Sequence, residues 1–396
     1  MKPLSNKHLS IEESKTLAIN AKANALKESG VKVINFSSGE PDFKTPAFIR
    51  EAAKGFIDQG HIRYTPSAGI VPLKKAIATK LKQDNNLSYD PANIVVSAGA
   101  KHSLYNTFQV LLNPGDEVII PTPYWTSYPA MVELAGGTPV FLDTTDSAFQ
   151  ISTKKLESLI TPKTKAIILN SPNNPTGTVY IQETLEKIAE IAINNDLYVI
   201  SDEIYEKLLY EGTHVSIAAL NEVIKKRTIT INGLSKSHAM TGWRVGYLAA
   251  ETDMVKAITN LQSHSTSNAS TITQYAALAA LEGDESEVAH MKRAFEARRR
   301  MVLAKIERMP HISVNAPSGA FYVMIDVRGL FGKKFEEKTI KNATDVAGLF
   351  LEKAHVAMVP GIAFGCDDYL RMSYATSEAD IKEGLNRIER LIRTLN

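Results

Sequence analysis

The chain has 396 residues, long enough for two compact units rather than one. With 44% hydrophobic and 22% charged residues it has the balance of an ordinary globular protein, and a formal charge of +2 over this length gives no basis for a nucleic-acid or membrane partner. Its single cysteine, Cys366, excludes an internal disulfide and a cysteine-rich zinc site, and fits a reducing compartment.

The first 14 residues mix Lys2, Lys7, His8, Glu12 and Glu13 with no apolar run, so no secretory signal is read and the cytoplasm is the expected location. No apolar stretch approaches the roughly 18 residues of a membrane span. Further along, short β-branched runs alternate with helical periodicity. Residues 94–97 precede a helix candidate from Lys101, residues 117–120 one from Trp125, and residues 166–169 one from Glu183. In that last helix Leu185, Ile188, Ala189, Ala192 and Ile193 fall on one face. Strands too apolar to keep a wet face, alternating with helices, predict an α/β fold with a mostly parallel sheet covered on both sides. Functional groups then belong at the C-terminal ends of its strands. The last third departs from this rhythm. Helical segments over 286–308 and 380–395 flank strand-like runs at 320–326 and 356–361, and Ile381, Leu385, Ile388 and Ile392 share one helix face, which predicts a second, smaller α/β domain.

Two further apolar runs carry the chemistry. Residues 197–201 lead to Asp202, and residues 228–231 lead to Asn232-Gly233-Leu234-Ser235-Lys236-Ser237, with Gly242-Trp243-Arg244 close behind. A strand delivering a carboxylate beside one delivering an amine near an arginine suits a cofactor with an aldehyde, a protonated ring nitrogen and a phosphate. Pyridoxal 5'-phosphate has those three groups. Taken singly, these residues have plainer readings. Asp202 fits a helix cap or an ion pair, and Arg244 fits a structural salt bridge as well as a phosphate clamp. Gly99-Ala100-Lys101 fits a tight strand-to-helix turn as well as a phosphate cradle. Trp125 fits core packing as well as a plate for a planar ring. The run from Asn170 to Gly177 is more specific, since two prolines and a glycine fix a loop that offers asparagine amides at a strand end. Arg371, flanked by apolar residues, calls for a carboxylate from protein or substrate. The phosphate loop, the dinucleotide fingerprint, the nucleophile elbow and the zinc motif His-Glu-x-x-His are all missing from the sequence.

In order along the chain, these motifs resemble the class I aminotransferases of fold type I, and within them the bacterial-type aspartate aminotransferases. The resemblance runs from Ser14-Lys15-Thr16-Leu17 and Gly39-Glu40-Pro41-Asp42-Phe43 through Ser171-Pro172-Asn173-Asn174-Pro175-Thr176-Gly177 and Ser201-Asp202-Glu203-Ile204-Tyr205. It continues through Lys236 and Gly242-Trp243-Arg244 to Pro317-Ser318-Gly319-Ala320-Phe321-Tyr322 and Arg371-Met372-Ser373-Tyr374-Ala375. It implies a large pyridoxal-phosphate-binding domain over 46–290 with a mostly parallel seven-stranded sheet. A small C-terminal domain over 291–396 would then be joined by an N-terminal arm, 1–45.

Carried onto this sequence, the resemblance implies that Lys236 forms the internal Schiff base and moves the substrate's α-proton. Asp202 would hold the ring nitrogen protonated, and Tyr205 and Asn174 would bond the ring's phenolic oxygen. Trp125 would face the ring. The phosphate would fall to Arg244, Gly99 and Ala100, with Tyr64 reaching across from a second copy, so that a homodimer shares its active sites. Gly233 stands where relatives often place a serine hydroxyl, which removes or replaces one phosphate contact. Arg371, Asn174, Trp125 and the Gly39 amide resemble the α-carboxylate site. Residues 263–268 contain no arginine for a side-chain carboxylate, and Lys101 with Ser14 and Thr16 is the bacterial branch's alternative. The implied activity is reversible amino transfer between L-aspartate and 2-oxoglutarate. The alternatives are an aromatic or broad-specificity aminotransferase, including one for prephenate, then a carbon-sulfur lyase or a non-catalytic binding protein on the same scaffold. Ile11-Glu12-Glu13-Ser14 lacks the lysine that prephenate-using relatives tend to carry there, which disfavours prephenate.

Overall fold

The computed structural model describes residues 15–396. Seven strands form the main sheet: β1 (Ile94–Ser97), β2 (Glu117–Thr122), β3 (Thr138–Asp143), β4 (Thr164–Asn170), β5 (Tyr198–Asp202), β6 (Thr228–Gly233) and β7 (Gly246–Ala249). Their spatial order is β1-β7-β6-β5-β4-β2-β3. Only β7 runs against its neighbours, β1 and β6; the remaining ladders are parallel.

Alternate residues of the same strands enter opposite cores, as a period of two requires. Ile120, Ile168 and Ile200 pack with Leu104 and Phe108 of the helix Ala100–Leu111. Ile119, Ile167 and Val199 pack on the other side with Leu185, Ile188 and Ala192 of the helix Gln182–Asn194. The central strands are therefore dry on both faces, and this is why they read as continuous apolar runs.

A second sheet is built from β8 (Ser313–Val314), β9 (Tyr322–Asp326), β10 (Val359–Pro360) and β11 (Tyr369–Ser373), ordered β10-β11-β9-β8 and antiparallel throughout. Its core draws Phe295 and Val302 from the helix Ser286–Ile306, and Ile381, Leu385 and Ile388 from the helix Glu378–Ile392. Ile34 and Phe36 join the same cluster from the N-terminal side, and Ile34–Asn35 pairs in parallel with Val356–Ala357. The run at 356–361, expected as one strand, is thus divided between two partners. Pro360, which cannot donate to a ladder, ends it. β3 and β7 were not anticipated: β3 is a sheet edge with mixed exposure, and β7 is short and opens on a glycine. The helix expected from Trp125 starts at Ser127, leaving Trp125 in the turn.

The topology brings one set of ends together. The C-terminal ends of β1, β2, β4, β5 and β6 share an edge with the N-terminal start of the reversed β7. That crowding needs glycine. A Cβ on Gly246 would lie 2.2 Å from the backbone nitrogen of Ala100, where the first helix begins. Gly246→Ala is expected to separate β7 from that helix and to destabilise the protein by about 2 kcal/mol or more, read as a lower urea midpoint.

Candidate active site

Asp202 closes β5 and is 3% exposed. Tyr128 Oη donates to Asp202 Oδ2 at 2.7 Å, and the Ile204 amide donates to Oδ1 at 3.2 Å. Burial raises this carboxyl and these two hydrogen bonds oppose it, the balance leaving it at about 6. The neighbouring Glu203 accepts from Ser201 Oγ, Ser216 Oγ and Asn85 Nδ2, and meets His214 Nε2 at 2.9 Å. Burial would raise the Glu203 carboxyl, but His214, Ser216 and Ser201 outweigh it and hold it below the ordinary range. Glu203, Glu206 and His214 are grouped closely enough to suggest metal ligands, yet the Lys80 ammonium already pairs with Glu206 there. This cluster is an internally neutralised polar support behind β5.

Lys236 lies just beyond β6 and reaches into a cavity of about 490 Å³. Its Nζ donates to the Gly39 carbonyl at 2.6 Å. Burial pushes the amine down to about 8; Arg371 and Arg244 act in the same direction, whereas Glu40 and Asp202 oppose it.

At one end of the cavity the helix Ala100–Leu111 presents its N-terminus after Gly99, whose φ is +95°. A Cβ on Gly99 would lie 2.4 Å from Arg244 Nη2, so the missing side chain makes room for the guanidinium. Arg244 is itself left-handed, with φ 57°, and donates to the carbonyls of Thr241 and Ala98. Helix amides and an arginine fork converging on one point form an anion cradle. Gly233 pairs with Gly246, and a Cβ there would sit 3.1 Å from Gly246 Cα, a fit tight enough that the neighbouring strand would have to give by a few tenths of an ångström. Hydroxyl-bearing Ser235 and Thr241 line the cavity instead.

Elsewhere on the cavity wall the guanidinium of Arg371 lies between two rings, 4.7 Å from the centroid of Tyr322 and 4.8 Å from that of Phe364. It donates through Nη1 to Asn174 Oδ1 at 3.1 Å and through Nη2 to the Ser37 carbonyl at 2.8 Å, and its buried Nε has no partner. A buried cation with a spare donor fits a carboxylate ligand. Tyr205 and Tyr322 share a hydroxyl contact of 3.0 Å. Lys101 lies over the Trp125 ring at 4.7 Å, and burial, with help from Arg244, lowers its amine below the ordinary range.

The cavity therefore gathers Gly39, Ala100, Lys101, Trp125 and Asn174 with Asp202, Tyr205, Lys236, Arg244 and Arg371. Gly99 stands directly behind Arg244. Tyr64 is 89% exposed and is not among the lining residues. Ser14 and the Thr16 side chain lie outside the described residues. Sequence reasoning assigned nothing to Tyr128, Tyr322, Ser235, Thr241 or Glu40. Tyr128 follows Trp125 by three residues, but Trp125 precedes the helix Ser127–Leu134, so no helical spacing marked it.

The family model described as aminotransferase class I and II matches residues 31–388. The chain is 48% identical over 392 residues to the aspartate aminotransferase of Bacillus sp. (strain YM-2), covering 98% of this chain and 99% of that protein. It is 42% identical to the aspartate/prephenate aminotransferase of Thermus thermophilus, covering 99% of each. The crystal structure of the Rhizobium meliloti aspartate aminotransferase superposes with a TM-score of 0.97 at 40% identity, covering 100% of both chains.

The lysine's surroundings make a direct prediction. In protein stripped of bound small molecules, acylation of Lys236, followed by peptide mass spectrometry, is expected to rise with a midpoint of about 8.

Proposed function

The chain belongs to the class I and II aminotransferase family, and from that premise we infer that it is an aspartate aminotransferase, passing the amino group of L-aspartate to 2-oxoglutarate to give oxaloacetate and L-glutamate. The observation that carries the substrate choice is the pair of separate cations in one cavity, Arg371 with its spare donor and Lys101. A dicarboxylic amino acid has one carboxylate for each. The Thermus relative's name adds prephenate as a second amino acceptor to consider, and the aromatic walls Trp125 and Tyr322 are compatible with its ring.

The residues fit pyridoxal 5'-phosphate as the cofactor. The fit rests on the space left by Gly99 beside Arg244, on the buried Asp202 carboxyl and on an amine depressed to about 8. Asp202 would face the ring nitrogen, Tyr205 and Asn174 the phenolic oxygen, and Trp125 the ring. Arg244, the amides at Gly99 and Ala100, and Ser235 would take the phosphate. When bound, the cofactor supplies an aldehyde that links to amines and a ring that withdraws the electron pair left at the substrate's α-carbon.

The chain's own residues do the rest. Arg371 fixes the α-carboxylate and thereby the direction in which the Cα–H bond points. Lys236 Nζ, as a neutral amine, takes the proton from that carbon and returns it later in the half-reaction. Asp202 stays ionised opposite a ring N–H, supported by the Tyr128 hydrogen bond. Lys101 holds the distal carboxylate. Tyr64, exposed on a single chain, is available to a second copy, and a homodimer that lends it to the partner's phosphate end follows from this reading.

The reading is tested by visible absorption. Purified protein should carry a visible band that aspartate bleaches and 2-oxoglutarate restores; no response to aspartate would defeat it. Lys236→Ala is expected to lower turnover by at least about 10⁴-fold. In steady-state kinetics, Lys101→Ala should reduce kcat/KM for aspartate by roughly tenfold or more while sparing phenylalanine, and equal losses for both would remove Lys101 from the distal site.

A further inference from the structure

One short segment, Ser37 to Glu40, touches two of the cavity's cationic groups directly and a third through Thr241. Its Ser37 carbonyl accepts from Arg371 Nη2 at 2.8 Å, and its Gly39 carbonyl accepts from Lys236 Nζ at 2.6 Å. Glu40 Oε2 accepts from Thr241 Oγ1 at 2.8 Å, and the carbonyl of Thr241 accepts from Arg244 Nη1 at 2.9 Å. The segment comes from the strand that pairs with Val356–Ala357, so Glu40 ties the C-terminal core to the loop behind Lys236.

The charges are unequal. Lys101, Lys236, Arg244 and Arg371 line the cavity, and among the described lining residues only Asp202 and Glu40 carry carboxyl groups. Asp202 has its role at the ring nitrogen. Glu40 has none, although it is exposed at the mouth and held in one place by a hydroxyl from a different part of the chain.

We propose that Glu40 is a positioning residue for Lys236: anchored by Thr241, it holds the Gly39 carbonyl against the lysine nitrogen and presents to it, among the described lining residues, the one carboxylate besides Asp202. The groups that act on that nitrogen are Glu40, Arg371, Arg244 and Asp202, with the Tyr205 ring centroid 6.0 Å away. Glu40 and Asp202 favour the protonated nitrogen and the two arginines disfavour it. Removing Glu40's charge therefore makes the nitrogen lose its proton at lower pH. This rests on the assignment of Lys236 as the residue that binds the cofactor.

The test is the pH titration of the visible absorption of the cofactor-loaded protein, without substrate. Glu40→Gln keeps the shape and an acceptor oxygen but removes the charge. Its midpoint is expected roughly half a pH unit below the parent's at low salt, the scale of one nearby charge seen through a water-like dielectric. The difference should shrink in 1 M salt, where the screening length is about 3 Å. Glu40→Asp, which keeps the charge, should titrate closer to the parent. An unchanged midpoint in Glu40→Gln would overturn the proposal. So would a shift of the same size at both salt concentrations, because that reports a displaced backbone and not a charge. Absence of a visible band in the parent protein would instead defeat the cofactor assignment.

Discussion

The site depends on a close backbone approach that only missing side chains permit. β7 enters the sheet against the direction of every other strand, so its first residue, Gly246, meets the start of the helix Ala100–Leu111 and pairs across to Gly233. Arg244 sits two residues before that start, in a left-handed conformation that turns the guanidinium toward the helix N-terminus and into the space left by Gly99. Helix dipole and arginine then act on one point. A side chain at Gly246 would push β7 from the helix start, one at Gly99 would take the space of the Arg244 guanidinium, and Lys236 sits on the loop between β6 and β7 that these contacts hold.

Around that frame the electrostatics are arranged by burial more than by pairing. Burial lowers the lysine to about 8, with Arg371 and Arg244 acting in the same direction, and burial raises the aspartic acid to about 6 against the pull of Lys236. With that ordering, a neutral pH leaves the aspartate mostly ionised and brings the amine within about one unit of losing its proton. Any further positive charge brought into the cavity pushes the amine the rest of the way and holds the carboxylate ionised. Behind β5, Glu203 is satisfied by Ser201, Ser216, Asn85 and His214, so the strand that carries Asp202 rests on a support with no unspent charge of its own.

The main sheet was legible because its central strands are dry on both faces, and Asp202, Lys236 and Asn174 followed as residues at strand ends. What was not legible depends on contacts between distant segments. β7 is short, opens on a glycine and has no periodicity to announce it. Tyr128 looks like one more apolar residue until the helix turns it toward Asp202. Glu40 sits in a recognisable motif, yet its contact with Thr241 spans two parts of the chain that no local pattern connects. Gly233 reads as a lost contact in sequence; in three dimensions it is the residue that fits against Gly246.

The two cations assigned to substrate differ in kind, and the difference bears on specificity. Arg371 is held by two rings and two hydrogen bonds, which fix the plane of its remaining N–H donors, so it accepts a carboxylate without reorganising. Lys101 is single-pointed and on a flexible stem, its residue open to solvent while its amine is partly desolvated, and its partner is the face of Trp125. On the proposed function, a dicarboxylate's distal charge meets Lys101, whereas an aromatic side chain has to displace the ammonium from the indole. A rigid α-carboxylate end would then fix the bond that reacts, and specificity would be set by what a neutral ring loses in displacing Lys101 from Trp125.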